Sequence, residues 1–455
     1  MKDDLSGLIK AYDIRGVVPD QLDDELAFQV GASFAHHIGA DLIAVGHDMR
    51  VSSPALAKAF AAGVTSRGSD VLAIGLASTD LLYFASGIRD IPGAMITASH
   101  NPPTYNGIKL CRPGAAPIGQ GTGLADIRAL LEGGLPSYDG RLGLSHSEDL
   151  LPTYSTYLHA LVDLDGTRRL KVVVDAGNGM AGRTAPVVLE HPTLEIVPLY
   201  FELDGTFPHH EANPMDPANL ADLRAAVRRH RADLGLAFDG DADRCFFVDE
   251  HGEPVSPNNI ISLIATRELA LQPGSAVVCN AITSKAVAEQ ITEHGGRPIR
   301  TRVGHSFIKQ VMADHNAVFG GEHSGHYYFE QFWYADSGML AALHVLAALG
   351  HTNQPLSTLT AQFSRYVASG ELNLALSDIP AALHQVETSY LAAGATADHL
   401  DGLTITLPNG AWFNLRPSNT EPLLRLNVEA PDRTSMTQLR HEILTLLNAH
   451  VPAPS

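Results

Sequence analysis

A chain of 455 residues, 45% hydrophobic and with 40 glycines, has the make-up of soluble globular domains and is long enough for about three of them. A formal charge of −19 and a pI near 5.5 argue against a basic footprint for nucleic acid or anionic membrane, so an anionic substrate has to be met by locally gathered cations. Cys111, Cys245 and Cys279 are widely spaced and outside any CxxC pair, which suits a reducing cytosol. The acidic start Met1-Lys2-Asp3-Asp4 has no apolar leader core, and the greasiest stretch, 339–349, is too short to cross a bilayer.

Residues 1 to about 145 read as an α/β unit, with helices over 22–38 and 54–66 and strands over 42–45 and 71–74. Ahead of it, Tyr12-Asp13-Ile14-Arg15-Gly16 sets an arginine beside a tyrosine, either a surface turn or a cation offered to a phosphate. The apolar run 93–96 ends in Thr97-Ala98-Ser99-His100-Asn101-Pro102, which places a serine hydroxyl at a strand terminus. By itself this is a turn, because Ser and Asn bond their own backbone and Pro102 cannot continue a ladder. The stretch 106–110 reads as a return strand that brings Lys109 near Ser99, where a lysine of lowered pKa could take the serine's proton.

The Gly-, Ser- and Pro-rich stretch 136–152 reads as a linker into a second α/β unit, about 146–250. Its strand 171–175 runs into Gly177-Asn178-Gly179-Met180-Ala181-Gly182, a literal G-x-G-x-x-G with Glu202 some twenty residues on. That spacing leaves two readings: a dinucleotide cradle, and with it an NAD-dependent oxidoreductase, or a glycine turn at a strand end. Between strands 234–238 and 245–248 lies Asp239-Gly240-Asp241-Ala242-Asp243-Arg244. Three carboxylates at alternate positions repel one another unless a cation sits among them, and magnesium is the expected ion. A calcium EF-hand fits less well, since Arg244 stands where the loop needs glycine and strands, not helices, flank it. Three acids leave coordination open for a phosphate oxygen.

A third α/β unit, about 251–362, carries Ala281-Ile282-Thr283-Ser284-Lys285 and Thr301-Arg302-Val303-Gly304-His305 at strand ends. It also holds Gly320-Gly321-Glu322-His323-Ser324-Gly325-His326, whose alternating donors and acceptors suit vicinal sugar hydroxyls; a zinc site at His323 and His326 lacks a third ligand nearby. The last unit, about 363–455, reads as a small α+β domain, with strands over 372–376, 403–407, 411–415 and 423–428 and helices over 379–392 and 434–449. Arg416-Pro417-Ser418-Asn419-Thr420-Glu421-Pro422 lies between its strands, an arginine, hydroxyls and turned N–H groups suited to a phosphate.

These four loops, in this order and spread over nearly the whole chain, resemble those of the α-D-phosphohexomutase family, of the phosphomannomutase/phosphoglucomutase type. The resemblance implies three similar α/β domains plus a smaller C-terminal α+β domain around a central cleft. It implies phosphorylation of Ser99, with His100 and Lys109 in its acid/base neighbourhood and His326 as a further proton carrier. Magnesium is implied on Asp239, Asp241, Asp243 and the seryl phosphate, with Arg244 trailing. Glu322, Ser324 and His326 match a sugar-specificity loop, and Arg416, Ser418, Asn419 and Thr420 a grip on the phosphate that is not transferred. Tyr12, Arg15, Lys285 and His305 match substrate contacts, and a hexose 1,6-bisphosphate is implied as intermediate and activator. His323 replaces the methionine or glutamate expected in many relatives, which leaves mannose against glucose open. Phosphoglucosamine as substrate, a magnesium phosphatase and a non-catalytic sugar-phosphate binder are the other readings.

Overall fold

Each apolar run read as a buried strand is a strand, and each of the three α/β units repeats one joint. In the first sheet Gly93–Ile96 lies parallel to Leu42–His47, then the chain turns back as Tyr105–Arg112, antiparallel to it. In the second, Leu234–Phe238 is parallel to Leu170–Asp175 and antiparallel to Cys245–Asp249. In the third, Ala317–Gly321 is parallel to Ala276–Asn280 and antiparallel to Tyr327–Phe329. The serine turn, the aspartate loop and the Glu322–His326 loop occupy this same joint, where a parallel strand ends and the chain reverses. The structure, a computed structural model, describes residues 5, 7–9, 12–418 and 423–450.

The fourth sheet is wholly antiparallel, in the order Val367–Leu374, Leu424–Ala430, Trp412–Pro417, Leu403–Thr406, Thr396–Asp398, with helices Ile379–Ala392 and Arg433–Leu447. Its core is its own, built on Val386, Phe413, Leu426 and Ile443. By contrast one continuous core runs through the other three units, joining Phe84, Val174, Phe238, Ile264 and Phe319. Three domains packed on one core hold their loops in fixed relation, whereas the fourth is a separately folded body. The apolar stretch at 339–349 is the helix Gly338–Gly350, buried nearly all round in the shared core. No helix of the described residues is long and apolar enough to cross a membrane.

Short edge strands escape the sequence reading. Ser145–Ser147 lies within the stretch read as a linker, yet pairs in parallel with Asp70–Leu76 as an edge strand of the first sheet. Its Ser-His-Ser sequence is exposed throughout, so it carries no alternation of apolar and polar residues. Thr396–Asp398, not foreseen, is likewise a short edge strand.

Candidate active site

Ser99 sits in the turn with φ +50°, in the left-handed region, and is 2% exposed. Its Oγ donates to Asp239 Oδ2 at 2.6 Å, and its amide donates to Thr97 Oγ1 at 2.9 Å. The turn and the aspartate loop approach so closely that a Cβ on Gly240 would stand 2.4 Å from the Ser99 carbonyl oxygen. His100 Nδ1 is 3.1 Å from Ser99 Oγ and 2.5 Å from Arg244 Nη2. Burial and the Arg244 charge hold His100 well below the ordinary histidine range, so its neutral Nδ1 accepts from the guanidinium.

The three aspartates are buried and their carboxylate oxygens lie within 4.8 Å of one another. Asp239 accepts from Arg244 Nε at 2.9 Å; Asp241 accepts from Thr79 Oγ1 at 2.6 Å. Lys109 was expected beside the Ser99 hydroxyl as a proton acceptor. Its ammonium instead donates to Asp241 Oδ2 at 2.7 Å and Asp243 Oδ2 at 2.6 Å. Burial favours the neutral amine, but Asp241 and Asp243 outweigh it and hold Lys109 well above its usual value, so it has no lone pair to accept a proton. The same pairing brings Asp241 well below the carboxylate range despite its burial. Asp239 is pushed up to about 7 by burial, with Arg244 opposing and the other two acids assisting. Asp241 Oδ1 and Asp243 Oδ1 are buried without a hydrogen-bond partner. Orphaned carboxylate oxygens gathered in one buried acidic cluster fit a hard divalent cation.

The third loop closes on this cluster. Cys245 N donates to the Gly325 carbonyl at 3.2 Å, and His326 Nε2 lies 3.8 Å from Asp243 Oδ1 and 3.9 Å from Asp336 Oδ2. Ser324 Oγ is 3.0 Å from His326 Nδ1. Glu322 is buried and oriented by Asn280 Nδ2 at 2.9 Å and Tyr328 OH at 2.7 Å, with the Gly304 amide 3.3 Å away. His326 groups with Asp243 and Asp336, not with His323, and Lys309 pairs with Asp336 at 2.5 Å, so the histidines do not form the zinc pair considered from sequence.

A cavity of about 1410 Å³ opens between the first and third units, with Tyr12, Arg15, His100 and Asn101 on one side and Arg302 and His305 on the other. Arg15 is held by Asp13 at 2.8 Å and donates to Asn101 Oδ1 at 2.5 Å, so the N-terminal cation touches the serine turn. Tyr12 meets the His305 ring edge-on at 4.9 Å. Burial and the Lys309 charge keep His305 well below its ordinary range. Arg416 is 6% exposed and 3.8 Å from Asp401, which accepts from Val303 N at 2.9 Å; the fourth domain thereby reaches the His305 loop. Ser418 accepts from Arg425 at 3.3 Å, while Asn419 and Thr420 lie outside the described residues. Lys285 stands apart from the aspartates: its amide meets Glu429 of the fourth domain at 3.1 Å and its ammonium is half-exposed, 3.8 Å from Glu289.

Thr79, Lys309 and Asp336 belong to this network and were missed from sequence. Lys309 was discoverable, as a lysine on the apolar stripe between Ile308 and Met312; it packs 3.9 Å over the Tyr83 ring. The G-x-G-x-x-G stretch proves to be a packing device. A Cβ on Gly179 would meet the Gly240 carbonyl oxygen at 2.7 Å, and one on Gly182 the Phe201 carbonyl oxygen at 2.2 Å. Met180 N also donates to Gly240 O at 2.9 Å, so the chain's own backbone fills the space a pyrophosphate needs and the oxidoreductase reading has no support.

Comparison with known proteins agrees with this arrangement. Models of phosphoglucomutase/phosphomannomutase α/β/α domains I, II and III match residues 7–133, 152–252 and 256–366, and that of the C-terminal domain matches 371–446. The chain is 40% identical over 442 residues to phosphohexose mutases of Xanthomonas campestris pv. campestris, covering 96% of this chain and 98% of that one. It is 40% identical over 450 residues to a phosphomannomutase of Escherichia coli, again with 96% and 98% covered. A crystal structure of a phosphoglucomutase/phosphomannomutase family protein from Burkholderia thailandensis superimposes with a TM-score of 0.89 at 30% identity, covering 97% of each chain. All four domains of that frame are matched, and the chain belongs to the phosphoglucomutase/phosphomannomutase family as a phosphohexose mutase.

Proposed function

We propose that the chain moves a phosphoryl group between the 1- and 6-hydroxyls of mannose or glucose phosphate, through phosphorylated Ser99 and a hexose 1,6-bisphosphate. The observation that carries this reading is the Ser99 hydroxyl, 2.6 Å from Asp239, within a three-aspartate cluster beside a cation-lined cavity. The sugar hydroxyl attacks phosphorus, the bond from phosphorus to Ser99 Oγ breaks, and the hydroxyl proton passes to His326. Lys109, held charged by Asp241 and Asp243, adds positive charge beside the transferring group, and the leaving seryl oxygen takes its proton from solvent. The bisphosphate then turns over and returns its other phosphoryl group to Ser99. Asp239, Asp241, Asp243 and the seryl phosphate would hold magnesium, which supplies neutralisation of charge on the transferring group. Arg244 and His100 fix the turn from behind.

Glu322 and Ser324 read the sugar hydroxyls, and Tyr12, Arg15 and His305 line the approach. Arg416, Ser418, Asn419 and Thr420 hold the distal phosphate. Catalysis here is positioning and electrostatics, since little covalent chemistry falls to the protein beyond the serine. Curated relatives named phosphomannomutase support mannose phosphate as the first substrate to try. The test is phosphorus NMR with magnesium and a trace of hexose 1,6-bisphosphate as activator, on mannose 1-phosphate and glucose 1-phosphate in turn. Conversion to the 6-phosphate that collapses in Ser99→Ala is the expected result; release of free phosphate, or conversion undiminished in the variant, refutes it.

A further inference from the structure

Arg50 lies in the turn after Leu42–His47, 1% exposed, and its guanidinium is spent on the backbone of the serine turn. Nη2 donates to the carbonyls of Ser99 at 2.8 Å and Asn101 at 2.6 Å; Nη1 donates to those of Pro102 at 2.8 Å and Tyr105 at 2.9 Å. The remaining nitrogen, Nε, pairs with Asp48 at 3.3 Å. Asp48 is itself fixed by the Arg50 amide at 3.0 Å and by Ser53 Oγ at 2.5 Å. Both terminal guanidinium nitrogens therefore donate twice, all four acceptors lying between residues 99 and 105, while Nε makes only the ion pair with Asp48. The second domain shuts the box: the Phe207 ring lies 5.2 Å from the guanidinium carbon, and a Cβ on Gly205 would stand 2.5 Å from Arg50 Cα.

Ser99 needs such a clamp. A serine at φ +50° occupies a region that residues other than glycine rarely adopt, and the surroundings have to sustain it. Pinning the Ser99 carbonyl fixes the peptide plane that follows the hydroxyl, and with it the direction of Oγ toward Asp239. We propose that Arg50 is a positioning residue for phosphoryl transfer: its planar fork holds the serine turn in the one backbone geometry that aims Oγ at the aspartate cluster. It acts through backbone carbonyls, that of Ser99 among them, and bonds none of the side chains that would hold magnesium. Lysine cannot replace it, because three donors on one nitrogen do not span carbonyls spread over seven residues.

The proposal rests on Ser99 as phosphoryl carrier, and the experiment separates the two. Steady-state conversion of mannose 1-phosphate and glucose 1-phosphate is compared for the full chain and for Arg50→Ala and Arg50→Lys, with melting temperature recorded for each. In Arg50→Ala, kcat is expected to fall about 100-fold, the size of effect a misplaced reacting group produces, with KM within about threefold. Millimolar guanidinium or ethylguanidinium should restore at least about tenfold of that loss by refilling the box. Arg50→Lys, which keeps the charge, should show a similar loss of kcat without that rescue and melt within a few degrees of the parent, which keeps the test intact should the alanine variant not fold. Either variant retaining kcat within threefold overturns the proposal, as does a loss that follows unfolding and is indifferent to guanidinium. A parent chain inactive on both sugars, with Ser99 never phosphorylated by the bisphosphate, overturns the carrier reading and the clamp together.

Discussion

Affinity for a divalent cation should follow the ionisation of Asp239. Its carboxyl is fully buried, and burial pushes it up to about 7, with Arg244 pulling the other way and Asp243 and Asp241 adding to the rise. A ligand carboxylate has to shed its proton, so proton and cation compete for one site. At pH 5, two units below that value, about one molecule in a hundred is ready to bind. Apparent magnesium affinity should therefore be about 100-fold weaker at pH 5 than on the plateau above pH 8, or about 2.7 kcal/mol at 1.36 per unit. Stability moves with it. A carboxyl raised from 3.8 stabilises the metal-free fold fully below pH 3.8, and that contribution disappears as pH rises through about 7. Added magnesium should accordingly raise the melting temperature strongly at pH 8 and little at pH 5. Isothermal titration from pH 5 to 8 measures this, on a Ser99→Ala background so that a seryl phosphate, which titrates near 6, does not contribute. Asp239→Asn should lower the plateau and remove the slope. An affinity unchanged between pH 5 and 7, or a slope that survives Asp239→Asn, refutes the reasoning.

Gly179→Ala puts a methyl group 2.7 Å from the Gly240 carbonyl oxygen and should displace the aspartate loop, costing about 1–3 kcal/mol in stability and weakening magnesium binding; the parent chain should leave NADH fluorescence unchanged. Asp80 is buried among Ser78, Tyr154 and Ser337, so it ties the first domain to helices of the second and third. Burial pushes it up to about 6 from 3.8, so its contribution of about 3 kcal/mol is present below 3.8 and lost as pH rises through 6; Asp80→Asn, which stays neutral, should flatten the melting temperature between pH 4 and 7. Tyr328→Phe removes the donor that holds Glu322 Oε2 at 2.7 Å and should lower kcat/KM by about 1.5–3 kcal/mol, read in the same mutase assay, with melting temperature as the control.

The loops that carry chemistry were legible because each breaks an apolar run with residues a strand end does not need, as Ser99 follows 93–96 and Asp239 follows 234–238. Lys109 was legible as a neighbour of the serine turn but not as a partner of Asp241 and Asp243, which lie 132 and 134 residues further on. Arg50 gave no signal at all: its worth lies in carbonyls 49 to 55 residues away, and a carbonyl has no side chain by which sequence could reveal it. The glycine loop misled for the same reason, since Gly179 makes room for the backbone of Gly240 rather than for a ligand. Local spacing is identical in the two cases; only the long-range partner differs. Edge strands such as Ser145–Ser147 escape because exposure on both faces erases the period of two.

The central claim is that the phosphoryl group passes through Ser99. Incubation with a trace of hexose 1,6-bisphosphate labelled in its phosphates should label the protein at Ser99, found by peptide mass spectrometry. A chase with unlabelled mannose 1-phosphate should move that label quantitatively into sugar phosphate. Label that stays on the protein through the chase, leaves as inorganic phosphate, or appears equally in Ser99→Ala contradicts the account.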